Sequence, residues 1–200
     1  MSIYTFNPTF KGIFRCIVAY SLLQLPVFGQ KYNRMFTINL NELNLEYKKP
    51  KGFSERDSVT SIKCKDARLY LPTVLIYSIT NKDSSIIIGF GDFIRYGGQH
   101  DYDPVVNMLR RKKNEADSVY FRPIVYDQKT ARSEFNGDLA VQYSPHCSDP
   151  FLKKYNNDRY ILVGKKGVGE FTVVFYFTDR AKERALNMIK NTSEILRFKD

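Results

Sequence analysis

The 200-residue chain has no tryptophan, only two histidines and only three cysteines. Without Trp it lacks the commonest aromatic platform for sugars, which counts against carbohydrate binding. Two imidazoles, His100 and His146, set a ceiling on histidine catalysis and zinc ligation. No G-x-S-x-G, H-E-x-x-H or S-x-x-K pattern occurs, so the commonest nucleophilic and zinc-protease signatures are excluded. Acidic residues are missing from the start of the chain, the first being Glu42. Internal repeats, low-complexity tracts and a second hydrophobic run of membrane length are missing too. Proline (8) and glycine (11) are scattered rather than clustered, as in an ordinary globular domain.

What is present begins with a cationic leader. Lys11 and Arg15 precede the apolar run Ile17-Val18-Ala19-Tyr20-Ser21-Leu22-Leu23-Gln24-Leu25-Pro26-Val27-Phe28, which closes at Gly29-Gln30. Small Val27 and Gly29 suit the two subsites of a signal peptidase, and the apolar core is short for a membrane span. Residues 1–29 therefore read as a signal peptide and residues 30–200 as a single domain, secreted or periplasmic. An uncleaved anchor and a buried N-terminal helix are the other readings of this segment. Cys16 lies before the apolar core, which argues against a lipoprotein anchor.

All 21 acidic and 29 of the 31 basic residues lie beyond residue 29, a formal balance of +8. That charge favours an anionic envelope component or an acidic protein face as partner, with solvated surface charge as the plain alternative. Nucleic acid is disfavoured by export and by the lack of a recognition motif. Cys64 and Cys147 remain after cleavage. In an oxidising compartment they form one disulfide or stay as two free thiols, and spacing does not decide between these.

Alternation of Phe36, Ile38 and Leu40, then Leu43, Leu45 and Tyr47, predicts half-buried strands kinked near Asn41. Val74–Ile79 and Ile86–Phe90 flank a polar turn and predict a hairpin. Asp103 and Pro104 open a predicted helix that ends at Arg110-Arg111-Lys112-Lys113. Strands are predicted over Tyr120–Val125 and Leu139–Tyr143, with a polar link over Asp127–Asn136. A second hairpin joins Tyr160–Val163 to Phe171–Phe177, and Thr178 or Asp179 caps a helix with Ala181, Ala185, Leu186, Ile189 and Ile195 on one face. The fold class is α+β: a curved antiparallel sheet of about six or seven strands with the C-terminal helix packed on one face.

Candidate binding residues are Arg95, Tyr96, His100 and Tyr102, a glycine-containing aromatic and basic loop, together with Arg110, Arg111, Lys112 and Lys113. Gly89-Phe90-Gly91 lacks the third glycine of a dinucleotide loop, and Lys165-Lys166-Gly167-Val168-Gly169 runs into a strand, so it is a turn rather than a phosphate loop. His100 lies near Asp101 and Asp103, and His146 near Cys147 and Asp149. Neither trio has fixed metal-ligand spacing, so no metal, cofactor or catalytic residue is assigned.

Leu45-Glu46-Tyr47-Lys48-Lys49-Pro50-Lys51-Gly52-Phe53 resembles the opening of PsbP-like domains, where a strand runs into a Pro-x-Gly-aromatic corner. The ending is similar as well: paired strands, a helix of about fifteen residues in such domains, and an apolar clamp, here Ile195-Leu196-Arg197-Phe198. The whole also resembles small exported proteins of uncharacterised Gram-negative envelope families. The resemblance implies a non-enzymatic accessory or assembly module and carries over no functional residue. The expectation is an exported, non-catalytic binding or accessory protein. The alternative is a hydrolase or metal-dependent enzyme using His100, His146 and Cys147.

Overall fold

The computed structural model describes residues 27–56, 60–62, 73–96, 123–144 and 152–200. In chain order the elements are α1 (Val27–Glu42), β1 (Leu45–Tyr47), β2 (Phe53–Glu55), β3 (Thr60–Ile62), β4 (Thr73–Asn81) and β5 (Ile86–Arg95). They continue with β6 (Ile124–Val125), α2 (Gln128–Phe135), β7 (Leu139–Tyr143), β8 (Asn157–Lys165), β9 (Gly169–Phe177), α3 (Lys182–Lys190) and β10 (Leu196–Phe198). The fold is α+β. An eight-stranded antiparallel sheet runs β2-β4-β5-β9-β8-β7-β6, with β3 also on β4, and β1 pairs with β10 in a separate two-stranded ladder. The expected six or seven strands undercounted the sheet, because β2 and β3 are too short to show periodicity.

Both expected hairpins form. In the first, Asn81 Oδ1 accepts from the N–H groups of Ser85 (3.0 Å) and Ile86 (2.9 Å), closing the polar turn between β4 and β5. In the second, Gly167 has φ +72°, a conformation glycine adopts without strain, at the turn between β8 and β9.

The expected strand over Phe36–Leu40 is instead part of α1. Phe36, Leu40 and Leu43 stand four and three residues apart, one face of a helix, and Phe36 and Leu43 are buried while Ile38 is exposed. The 3.6-residue period outweighs the shorter alternation. The expected signal-peptidase junction, Gly29-Gln30, falls in the first turn of this helix. The expected link over Asp127–Asn136 is likewise α2. Asp127 caps it by accepting from Thr130 N (2.9 Å), Asn136 ends it in the left-handed region, and Ala131 and Phe135 are buried one turn apart. The predicted helix at Asp103–Lys113 lies outside the described residues, as do Tyr120–Arg122 of the predicted strand that became β6.

One sheet face carries Ile79, Ile86, Ile88, Phe90, Ile161, Val163, Phe171, Val173, Phe175 and Phe177 against α1, α2, α3 and the β1–β10 ladder. The other carries Leu75, Ile87, Val141, Tyr143, Tyr160, Leu162, Val174 and Tyr176, with Tyr155 packed among them. The C-terminal helix is shorter than expected, nine residues between two 3-10 turns. Thr178 occupies the cap position without a side-chain cap bond, and Asp179 accepts instead from Asn157 (2.7 Å) and Asn156 (3.1 Å). Ala185 and Ile189 are buried as the helical spacing requires. Ala181, in the 3-10 turn before the helix, is buried too, and Ile195 is buried but lies beyond the helix, after the second 3-10 turn, not on its face. No described helix is long and apolar enough to cross a membrane.

Ile189 is 3% exposed on α3, and Lys190 is exposed beside it. Ile189→Asp should bury an unpaired carboxylate and largely unfold the domain. Lys190→Asp should change stability by about 0.5 kcal/mol or less. Thermal melts of both variants check the phase of this helix, and equal melting temperatures would contradict it.

Candidate functional site

Of the sequence-predicted binding residues, Arg95 and Tyr96 are described. His100, Tyr102, Arg110, Arg111, Lys112 and Lys113 lie outside the described residues, and so do Cys64, Cys147 and His146. The site can therefore be built from its root, the end of β5.

β5 runs antiparallel to β9 with Ile94 opposite Glu170 and Arg95 opposite Gly169. The register shifts between Gly91 and Ile94, where Asp92 has φ +48°. Such a bulge bends a strand and re-aims the side chains beyond it. Ile94 is 43% exposed and Arg95 is exposed next to it, so an apolar and a cationic side chain reach solvent together. Two bonds fix the strand end. Tyr96 N donates to Val168 O (3.2 Å), and the Tyr96 hydroxyl donates to Glu170 Oε2 (2.8 Å). Glu170 is 4% exposed on β9, so this acceptor is buried within the sheet. Close approach of β5 and β9 depends on Gly169: a Cβ there would lie 2.2 Å from Ile94 O and 2.6 Å from a Leu43 methyl of the segment after α1. The first is a backbone atom of the paired strand and the second belongs to buried Leu43, so no larger residue fits.

Beyond Glu170 the same face becomes a row of phenols. The Tyr143 ring stacks on Tyr160 at 5.2 Å, and Tyr160 meets Tyr176 edge-on at 6.1 Å. The Tyr160 and Tyr176 hydroxyls share a 2.5 Å hydrogen bond, and Ser144 donates to Asp158 at the row's edge. Burial pushes all three phenols above their ordinary range. Neighbouring Asp92 and Asp158 push Tyr143 and Tyr160 further in the same direction. These groups stay protonated at any physiological pH, so they are hydrogen-bonding partners and not nucleophiles.

A second aromatic group sits on the helix-covered face. Phe36 stacks on Tyr77 at 4.3 Å, with Tyr47, Phe90 and Phe93 around the pair. Burial pushes the Tyr47 phenol up to about 12. It binds α1 to the sheet and is packing. The Lys165–Gly169 stretch is a hairpin turn, with Val168 N on Lys165 O (3.1 Å) and Lys166 N on Asp138 Oδ2 (2.8 Å). Among the described residues no group of His, Cys, Asp and Glu could hold a metal ion.

Sequence reasoning placed Arg95 in a loop, whereas it is the last residue of β5, paired with Gly169. It also missed Glu170, one acidic letter before the apolar run of β9. Its signal was the alternation Glu170, Thr172, Val174, Tyr176, which gives β9 a polar-tipped face opposite Phe171, Val173, Phe175 and Phe177. No protein-family model matches the chain, and no curated protein or solved structure matches it either.

Tyr96→Phe removes a donor from a buried carboxylate and should lower stability by about 1–3 kcal/mol. Urea unfolding of the two chains measures it, and an unchanged midpoint would show that the strand end is held by its backbone alone.

Proposed function

We propose that the chain is an exported, non-catalytic binding or accessory protein that engages an anionic envelope component or an acidic protein face. The binding segment in this reading starts at Arg95 and runs through His100 and Tyr102 to the basic run Arg110–Lys113. The observation that carries it is the tethered root. A recognition segment works best when it projects from a rigid scaffold, and Tyr96 on Glu170 ties this one to the most buried strand of the sheet. Exposed Ile94 and Arg95 offer apolar area and a cation at the mouth of that segment. Export rests on the leader before Gln30, and an accessory role agrees with the resemblance of Leu45–Phe53 and of the C-terminal hairpin, helix and clamp to PsbP-like domains. The formal balance of +8 beyond residue 29 gives the long-range attraction such a partner would feel.

The experiment is envelope association of the secreted chain and of a variant with Arg95, Arg111 and Lys112 changed to Glu. Exposed charges are screened over about 8 Å at physiological ionic strength. Parent association should therefore fall with added salt, and charge reversal should reproduce that fall while the melting temperature stays unchanged. Association that ignores both salt and charge reversal would overturn the reading, as would soluble cytosolic protein that retains Met1.

A further inference from the structure

A second place on the sheet points to a ligand independently of the Arg95 segment and of where the protein acts. Arg56 follows β2, and its N–H donates to Ser78 O (3.0 Å), continuing the register in which Glu55 faces Ile79. Arg56 thus stands opposite Ser78 on β4. Ser78 stands opposite Gly89, Gly89 opposite Val174, and Val174 opposite Tyr160. Residues directly opposed in an antiparallel ladder share a face. Arg56 and Ser78 therefore extend the tyrosine row across the sheet to its β2 edge.

Both side chains are left with buried, unused donors. Ser78 is 2% exposed and its hydroxyl makes no hydrogen bond, and Nη1 of half-buried Arg56 is buried without a partner among the described residues. An unpaired guanidinium N–H withdrawn from water is costly, and a neighbouring unpaired hydroxyl adds to that cost. The acidic groups near them are committed elsewhere. Glu55 faces the other side, where its charge acts on Tyr77 and Tyr47. Asp83 accepts from Ser85 (2.7 Å) and Arg184 (3.4 Å), and Asp158 accepts from Ser144. The Arg56 charge reaches Tyr155, whose hydroxyl is spent on Ser84 O (2.9 Å), and Lys154 Nζ donates to the same carbonyl (2.7 Å). The Asp83 charge also reaches Tyr155, but its carboxylate is engaged by Ser85 and Arg184, which leaves one buried hydroxyl and one buried guanidinium N–H on this face without an acceptor among the described residues.

We propose that Arg56 and Ser78 form the binding site for an oxyanion, a carboxylate or phosphate group carried by a small ligand. A guanidinium presents parallel N–H donors that match two oxygens of such a group, and the serine hydroxyl supplies a further donor. Gly89, the next residue in the row, adds no polar group of its own, and Leu75 lies over it with a methyl 2.5 Å from where a Cβ would stand. The donors thus have an apolar neighbour beside them, the usual composition of the lining of a small-molecule site.

The test is calorimetric melting of the full chain with sodium phosphate and, separately, sodium acetate, at ionic strength held constant with sodium chloride. A saturable rise of about 3–6 °C is expected at ten times the dissociation constant. A rise with phosphate alone identifies a phosphate group as the ligand chemistry, and one with acetate alone identifies a carboxylate. Ser78→Ala should move the titration midpoint to about five- to ten-fold higher anion concentration. Arg56→Met should abolish the rise, and in anion-free buffer it should melt no lower than the parent, because an unpaired buried cation has been replaced by an apolar chain. No saturable rise with either anion would overturn the proposal. So would an unchanged rise in Arg56→Met, or an Arg56→Met chain that melts below the parent, since the fold itself would then satisfy Arg56.

Discussion

Strand β9 is buried along its whole length, all nine residues from Gly169 to Phe177, and the rest of the molecule is arranged around that requirement. A strand buried on both faces needs neighbours on both edges and cover on both sides. β5 and β8 satisfy its backbone along nearly its full length. On one face Phe171, Val173, Phe175 and Phe177 meet residues of all three described helices and of the β1–β10 ladder. Each such side chain contributes about 1.5–3 kcal/mol when withdrawn from water. The other face is built differently. Glu170, Thr172 and Tyr176 bring polar atoms into the interior, and each such atom demands a partner. The Tyr160–Tyr176 and Tyr96–Glu170 bonds answer that demand, so the polar face of β9 both orders the tyrosine row and holds the end of β5.

Legibility in the sequence followed the range of the interactions. The two hairpins were readable because strand periodicity and turn chemistry are local: Asn81 to Ser85 closes one turn and Gly167 the other. The amphipathic face of α3 was readable from spacing alone. α1 was misread because Phe36, Ile38 and Leu40 fit a two-residue period over five letters, while the helical partner Leu43 lies beyond them. α2 is short and polar on its outer side, and its signature was the Asp127 cap and the Asn136-Gly137 stop rather than hydrophobicity. The pairing of Leu45 with Phe198 joins the two ends of the domain, and no local pattern announces it.

The same holds for function. Arg95 and Tyr96 stood out as aromatic and basic loop residues, a compositional signal. Glu170, their buried anchor, is seventy-four positions from Tyr96 and becomes visible only in the β5–β9 register. Arg56 and Ser78 are ordinary residues in the sequence and become unusual only once a cross-strand register puts two unused donors on one buried face. Both places follow from the two-faced burial of β9. A face that must hold polar side chains without water is where a fold creates fixed anchors and, where its own acceptors run out, leaves donors unpaired.

The most direct measurement of this account is native-state hydrogen exchange resolved by residue. If two-faced burial of β9 organises the fold, amides of Phe171–Phe177 should exchange only through global unfolding, with opening free energies equal to the stability from denaturant titration. Amides of β6 and β2, short strands at the ends of the sheet order, should exchange through smaller openings. Exchange of the β9 amides at or above the rate of those edge strands would contradict the account.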